Sequence, residues 1–251
     1  MKKLFNSLSL SLSANPSFAP KQPAKLRLQA CNIGRSMIEM LGVLAIIGVL
    51  SVGGLAGYSK AMAKYKTNKM IEEYNSIVFN LVENYASLLK SYSTTTSKNS
   101  ELYTDAKNLK WLPEKWKPYY KSGFVYLDDG FGNLTHFYMR YDSSIKKRHV
   151  IMDIYLGKNV NNFSSVSEFP LDVCLSFFND WLKPISNVLG YAGIYTTNYK
   201  TGKGSYFYGN TNCGGDRKCL DTMTLSDIQN LCKSCQEDRK ECYIAVNFLE
   251  Y

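Results

Sequence analysis

The hydrophobic pattern of the chain is dominated by one long helical segment. Residues 40–59 contain no charged side chain, and about twenty apolar residues are what a helix needs to span the hydrocarbon core of a membrane. Proline and glycine are both absent between Tyr58 and Tyr92, so nothing in the sequence ends the helix there. We therefore expect one helix from about Met37 to Ser91, which would be roughly 80 Å long.

The second half of this helix is amphipathic, because its apolar residues recur at alternating spacings of three and four. Charged and amide residues fall off the apolar stripe: Lys69, Glu72, Glu73, Asn80, Glu83 and Asn84. The stripe itself consists of Ile71, Tyr74, Val78, Leu81, Tyr85 and Leu88, with Met70, Ile77 and Leu89 beside them. The pattern predicts a first half that is apolar all round and a second half that packs against a folded domain.

The remaining residues show the alternation of β-strands. Two apolar-aromatic runs within residues 123–142 flank an Asp-Gly turn signal and predict a hairpin. Residues 148–156 predict a third strand of an antiparallel sheet, with Val150, Met152, Ile154 and Leu156 on one face. The other segments are predicted as a loop-rich stretch around Pro113 and Pro118, a helix around Cys174 (residues 170–182), a glycine-rich irregular region (190–215), a capped short helix (224–235) and a final strand (242–251).

Net charge first suggests a nucleic-acid or membrane-surface partner, since the chain carries +9. However, residues 1–34 contain five of the 30 basic residues and none of the 21 acidic ones, so a chain that begins at Arg35 carries +4. A short basic stretch before an apolar run is typical of a flank that stays in the cytoplasm. Nucleic-acid binding is therefore not expected.

Cysteine usage indicates an oxidising compartment. Six of the seven cysteines lie in the C-terminal part of the chain and form an even set, as in extracytoplasmic proteins that pair their thiols. These candidates for disulfides are Cys174, Cys213, Cys219, Cys232, Cys235 and Cys242.

The junction between the basic stretch and the helix carries the candidate functional residues. Gly34 ends the basic stretch and offers a peptidase an unhindered backbone. Glu39 directly precedes the apolar run, where an unpaired carboxylate costs roughly 2.5–3.5 kcal/mol in a membrane. If the chain is cut after Gly34, Glu39 becomes its fifth residue, and the new terminal amine of a neighbouring subunit is its natural partner.

These residues resemble the prepilin family, the precursors of type IV pilins and of the related pseudopilins of type II secretion. The family shows a basic leader ending in glycine, a cleavage point, glutamate five residues later and an uninterrupted apolar helix. Here these are Gly34, the Gly34–Arg35 bond, Glu39 and residues 40–59. Arg35 departs from the family, which usually has Phe or Met there, whereas the long leader is similar to that of the type IVb branch.

The resemblance implies cleavage by a membrane-embedded prepilin peptidase, methylation of the new α-amine at Arg35 and assembly with copies of itself at an inner-membrane platform. It implies a single-pass protein in membrane lipid, with the leader cytoplasmic and the C-terminal domain periplasmic, that then enters an extracellular or periplasmic filament. We accordingly expect a structural subunit and not an enzyme, with no cofactor.

The expected fold class is α+β, a long N-terminal helix packed on an antiparallel sheet with a disulfide-containing C-terminal region. The expected parts are a removed leader (1–34), a transmembrane or filament-core half-helix (35–60), an amphipathic half-helix (61–92) and a globular pilin-like domain (93–251). Pilin-like proteins join a cysteine after the sheet to one near the end. The resemblance thus suggests Cys174–Cys242, with Cys213–Cys219, among fifteen possible connectivities.

Gly53 and Gly57 have two interpretations. The Gly-x-x-x-Gly spacing permits close packing of helices, or the glycines are simply tolerated in a membrane helix at about 1 kcal/mol each relative to alanine.

Several other readings of the sequence stay open. A single-pass anchored binding domain and a secreted enzyme are the alternative functions, and residues 4–18 are weakly similar to a secretory signal cut near Ala19. Cys232-x-x-Cys235 allows a zinc or redox site. Residues 128–133 faintly suggest a calcium loop, but a hairpin turn is the favoured explanation, and no metal site is predicted. His136 and His149 lie in predicted strands and are assigned structural roles.

Overall fold

The computed structural model describes residues 37–92, 99–142, 146–163, 168–197, 202–236 and 241–248. The chain divides into two compact units, Met1–Val52 and Gly53–Tyr251, and the described part of the first unit is entirely helical. The expected leader, with Gly34, lies outside the described residues, as does Arg35.

The long helix, α1, runs from Met37 to Ser91, as the sequence predicts. Its buried residues lie three or four positions apart and form one stripe: Met70, Ile71, Tyr74, Ile77, Val78, Leu81, Tyr85 and Leu88. Leu89 is partly buried beside them. The predicted amphipathic face is therefore confirmed, and it is the part of α1 that takes part in the core.

The sheet is antiparallel at every pairing among the described strands. Its strands are β1 (Ser100–Glu101), β2 (Lys117–Lys121), β3 (Phe124–Asp128), β4 (Leu134–Asp142), β5 (Lys147–Tyr155), β6 (Leu189–Thr197), β7 (Gly202–Tyr208) and β8 (Glu241–Phe248). Their order is β2-β3-β4-β5-β8-β6-β7, and β1 pairs with β4. The predicted hairpin, third strand and final strand are confirmed as β3–β4, β5 and β8.

Short helices complete the fold: α2 (Tyr103–Asn108), α3 (Leu171–Ser176), which continues into a π-helical segment (Phe177–Leu182), and α4 (Leu225–Lys233). Helix α4 begins with the predicted cap. Asp227 N–H donates to the Thr224 hydroxyl (3.1 Å), and Thr224 N–H donates back to the Asp227 carboxylate (2.9 Å). This reciprocal pair satisfies two donors that the start of a helix leaves unpaired.

The core lies on one face of the sheet. The residues predicted to share a face of β5 and its extension, Val150, Met152, Ile154 and Leu156, are all fully buried in it. Burial of each large apolar side chain stabilises the fold by about 1.5–3 kcal/mol. Helix α1 is also tied to the sheet directly, because the Tyr85 hydroxyl donates to the Phe248 carbonyl oxygen (3.0 Å).

The prediction of an irregular region over residues 190–215 is wrong, since β6 and β7 occupy most of it. The glycines there serve close packing: a Cβ on Gly193 would collide with the Ser205 carbonyl and the Tyr206 ring. Glycine inside a strand marks such an approach as well as a turn. In addition, β6 pairs with β8, which lies far along the chain, so local pattern could not show it.

The stretch predicted as loop-rich contains β2, which begins at Lys117 and includes Pro118. Strand β2 is at the edge of the sheet and pairs only with β3 among the described strands. An edge strand tolerates proline because one of its sides has no ladder to donate to. The proline therefore indicated an edge and not the absence of a strand.

Three disulfides join the six C-terminal cysteines: Cys174–Cys232, Cys213–Cys219 and Cys235–Cys242. The predicted Cys213–Cys219 bridge is confirmed, whereas Cys174–Cys242 is wrong. Cys174 lies on α3 and Cys232 on α4, two helices in contact, while Cys235 follows α4 and reaches β8. Because all six are oxidised, the thiolates that the zinc interpretation requires are absent from them.

Candidate functional site

The first half of α1 exposes its apolar side chains. Every large apolar residue from Met37 to Leu55 is more than half exposed. A contiguous apolar surface of this extent is unusual for a soluble monomer and marks contact with a membrane or a partner. By length and composition, one helix among the described residues, Met37–Ser91, could cross a membrane.

Glu39 is the carboxylate of this surface. It lies in the first turn of α1 and is exposed, and the partial positive charge of a helix N-terminus favours an acid there. None of the ion pairs between described residues includes it. Arg35, whose amine is the predicted partner, lies outside the described residues, so the pairing stays a prediction.

The glycines of the apolar half have no contact that requires them. A Cβ added to Gly53 or Gly57 would meet nothing within 4 Å, and the same holds for Gly42, Gly48 and Gly54. Each costs about 1 kcal/mol of helix stability relative to alanine. These glycines therefore either permit the close approach of a helix from another chain or have no packing role.

The apolar stretch ends in residues suited to a membrane–water boundary. Tyr58 and Tyr65 are largely exposed, and Lys60, Lys64 and Lys66 are exposed between and after them. Tyrosine rings and long lysine side chains prefer the headgroup region, where an apolar stem stays in lipid and a polar tip in water. The charge-free run alone does not predict this group of tyrosines and lysines, because they lie at its end and beyond it.

Two positive observations, a helix of membrane-spanning length and three disulfides, fit a membrane-anchored extracytoplasmic protein. No family model, curated protein or solved structure matches the chain.

A buried polar cluster fixes the packed half of α1 to the β3–β4 turn. The Asp129 carboxylate accepts from the backbone N–H of Phe131 (2.7 Å) and from the Asn133 side chain (2.7 Å). The Tyr74 hydroxyl reaches both Asp129 (3.4 Å) and the Thr135 hydroxyl (2.6 Å). Burial raises the pKa of Asp129. Since donors already surround this carboxylate, it acts as a turn-forming residue and not as a calcium ligand.

Glu73 was predicted to lie off the buried stripe, yet its side chain is only 14% exposed. It accepts a hydrogen bond from the Trp116 indole N–H (2.9 Å) and forms an ion pair with Lys115 (2.9 Å). Periodicity could not identify this contact, because its partners come from the stretch before β2.

The opposite face of the sheet is covered by tyrosines. We call it the tyrosine face, and it consists of Tyr126, Tyr138, Tyr155, Tyr191, Tyr195, Tyr206 and Tyr243. Ring centroids lie 5.9 Å apart for Tyr126–Tyr155, 5.0 Å for Tyr155–Tyr243 and 5.3 Å for Tyr195–Tyr243. The rings thus form a continuous series across β3, β5, β8 and β6, at spacings typical of favourable aromatic contact.

Two carboxyl groups and a histidine lie within the tyrosine face. His136 Nε2 lies 2.9 Å from Glu101 Oε1, and the Tyr138 hydroxyl donates to Asp153 Oδ2 (3.0 Å). Asp153 is only 5% exposed, and burial raises its pKa to about 6. An ionised carboxyl there loses its hydration, which costs several kcal/mol without compensation. Both histidines lie in strands, as expected, but the acid beside His136 was not predicted.

Proposed function

We propose that this chain is a structural subunit of a type IV pilus-like filament, processed after Gly34 and assembled through α1. The observation that carries the proposal is the division of α1. Its first half presents exposed apolar residues with Glu39 in the first turn, and its second half takes part in the core of an α+β domain. A subunit that moves from lipid into a helical bundle needs both properties.

Assembly depends on the charge of Glu39. In lipid this carboxylate costs roughly 2.5–3.5 kcal/mol, which a cation at close range offsets. Cleavage after Gly34 creates such a cation, the α-amine of Arg35, four residues before the acid. Pairing between neighbouring subunits therefore favours the polymer over the isolated subunit and sets the register between adjacent helices.

The partners follow from this route. A membrane-embedded prepilin peptidase removes the leader and the new amine is methylated at Arg35, while membrane lipid surrounds α1 before an inner-membrane platform inserts the subunit into the filament. Gly53 and Gly57 support the last step, since their backbone is bare of contacts within the chain and permits close approach of a neighbouring helix.

The main alternative is a single-pass anchored, disulfide-stabilised binding domain, and a small pocket in the tyrosine face, lined by Tyr126, His136 and Asp153 among others, favours it. A pseudopilin of a secretion system is a further alternative with the same α1. The anchored domain keeps its N-terminal stretch or is cut within it near Ala19, whereas the two filament proteins lose residues 1–34.

Mass spectrometry of the N-terminus separates the filament proteins from the anchored domain. We expect the protein purified from membranes of cells that carry a prepilin peptidase to begin at a methylated Arg35. The same chain from cells that lack the peptidase should retain residues 1–34, which provides the matched control. An intact leader in both strains, or a cut near Ala19, contradicts the proposal and supports the anchored domain.

A further inference from the structure

A small pocket opens in the tyrosine face. Its volume is about 190 Å³, which is small beside the roughly 300–1,000 Å³ of drug-sized pockets and suits a single headgroup. Its lining is mostly aromatic and includes one carboxyl group: Phe124, Tyr126, Tyr138, Tyr155, His136 and Asp153. The pocket lies wholly within the unit Gly53–Tyr251, so ligand binding there does not depend on filament assembly.

Asp153 has no ion-pair partner among the described residues, although it is 95% buried. Its hydrogen bond from Tyr138 engages one oxygen only. Arg140 donates to the Tyr191 hydroxyl and Lys158 pairs with Glu241, although Arg140 and His136 still act on Asp153 electrostatically and lower its pKa. Neither lies within ion-pair distance of the carboxylate, so a bound cation would supply the close partner that a buried carboxylate requires.

The surrounding rings select the chemistry of that charge. Aromatic faces attract cations through their negative quadrupole, and quaternary ammonium groups are the ligands that such ring clusters recognise. The chain already shows this contact at the edge of the pocket, where Lys158 Nζ lies 5.7 Å from the centroid of the Tyr155 ring. An anion would face Asp153 directly, and a neutral ligand would bring no positive charge to that carboxylate.

We propose that this pocket binds a small alkylammonium group, with its charge against Asp153 and its alkyl groups against the rings of Phe124, Tyr126 and Tyr155. The ligand class is one that carries a choline-like headgroup. The site goes beyond filament formation, because it gives the domain a ligand that neither cleavage after Gly34 nor the Glu39 pairing requires.

The test uses the full chain in a neutral sugar detergent, without choline lipids or amine buffers. Choline and its uncharged isostere, 3,3-dimethylbutan-1-ol, are titrated at pH 8 while resonances of the domain are followed by NMR. We expect saturable choline binding that is at least about tenfold tighter than that of the isostere. Equal affinity of the two probes, or no saturable choline binding, overturns the proposal.

Variants locate the site. Asp153→Asn should weaken choline binding by about tenfold or more and remove the preference over the isostere, whereas Asp180→Asn, which changes an exposed acid in the same unit, should leave binding unchanged. Tyr126→Leu keeps apolar volume but removes a ring, and should also weaken choline binding selectively. If both pocket variants retain native near-ultraviolet circular dichroism and bind choline normally, the pocket is not the site.

The pH dependence adds a second readout. Because burial raises the pKa of Asp153 to about 6, choline affinity should fall by about tenfold per pH unit below that value. The titratable and charged groups that face Asp153 are His136, Tyr138 and Arg140 on β4, Glu101 on β1, Tyr126 on β3, Tyr155 on β5 and Tyr243 on β8. An affinity that is constant from pH 8 to pH 4 contradicts the role of Asp153.

Discussion

The two halves of α1 follow the same helical period but meet different surroundings. From Met70 to Leu88 the apolar stripe is buried against the rest of the domain, and polar groups such as the Tyr74 hydroxyl find partners there. From Met37 to Leu55 the large apolar side chains are exposed on all sides. The second half of α1 is therefore covered by its own domain, whereas nothing in the described chain covers the large apolar side chains of the first half.

The difference teaches how apolar sequence is to be interpreted. A stripe of apolar residues with polar residues between them indicates a surface that the fold itself covers. An unbroken apolar circumference requires lipid or other helices on every side. The two halves also treat acids differently: Glu73 is paired within the domain, whereas Glu39 has its predicted partner on another molecule.

The effect expected on filament assembly concerns the exposed half of α1. Glu39→Ala should reduce incorporation into filaments by more than about tenfold, because it removes the carboxylate whose unpaired cost in lipid, roughly 2.5–3.5 kcal/mol, favours pairing in the filament, and should leave cleavage and domain stability unchanged. Quantitative immunoblotting of sheared filaments and of membranes measures both. Glu83→Ala, an exposed acid in the packed half, is the control, and normal incorporation of Glu39→Ala contradicts the assigned role.

The largest effect on the free energy of unfolding is expected from a substitution in the packed half of α1. Tyr74 is fully buried and contacts the rings of Trp116, Phe177 and Trp181 at 5.1–5.3 Å. Tyr74→Ala should lower the free energy of unfolding by about 4–5 kcal/mol, since it leaves a cavity and removes a partner of Asp129. Urea denaturation followed by tryptophan fluorescence measures it. Tyr65→Ala, an exposed tyrosine of α1, should change stability by less than about 0.5 kcal/mol, and similar losses for the two variants would contradict the comparison.

A third effect concerns the disulfides. They lie in the unit Gly53–Tyr251, and the described part of the unit Met1–Val52 contains none. Cys174 and Cys232 are 58 residues apart, whereas Cys213 and Cys219 are six apart. Removing the first bridge should cost about 4 kcal/mol and the second about 2 kcal/mol, because closing a longer loop restricts the unfolded chain more. Paired Cys→Ala variants in the same urea assay test this order, and the reverse order would contradict the entropic explanation.

The smallest effect concerns Asp153, the buried acid of the packed unit. Its pKa is raised from 3.8 to about 6, so the folded state binds the proton more tightly than the unfolded state, and stability falls as pH rises from about 4 to beyond 6. Asp153→Asn should remove this loss and be more stable than the native chain by up to about 3 kcal/mol at pH 8, with little difference at pH 3.5. Asp180→Asn should show no such pH-dependent gain. An equal gain at both pH values would assign the effect to something other than ionisation.

Features with a local period could be predicted from the sequence. The bounds of α1, its buried stripe, the β3–β4 hairpin, the inner face of β5 and the cap of α4 all depend on residues within a few positions of one another. The order of Gly34, Arg35, Glu39 and the apolar run is likewise local, and it gave the candidate assembly site, which stays a prediction.

Features that depend on distant partners could not be predicted. Strand β6 is stabilised by β8, which lies far along the chain. Local sequence does not show this pairing, so the glycines of β6 predict irregular structure. Cys232 and Cys235 are three residues apart, yet they point to α3 and β8 respectively. The pocket around Asp153 combines residues of three strands, and its signal was a high tyrosine content that gave no position. Alternation within β5 did place Asp153 opposite the core-facing residues, which was the one usable clue.

The bridge between Cys174 and Cys232 also has a mechanical consequence. Tension applied between α1 and β8 passes from Cys174 directly to Cys232, and then from Cys235 to Cys242. The 58-residue segment between the first two cysteines would extend to roughly 190 Å if it were pulled straight. The bridge bypasses this segment, so the segment bears none of the tension. The domain can therefore be stretched without that segment unravelling, so long as the bridge is oxidised.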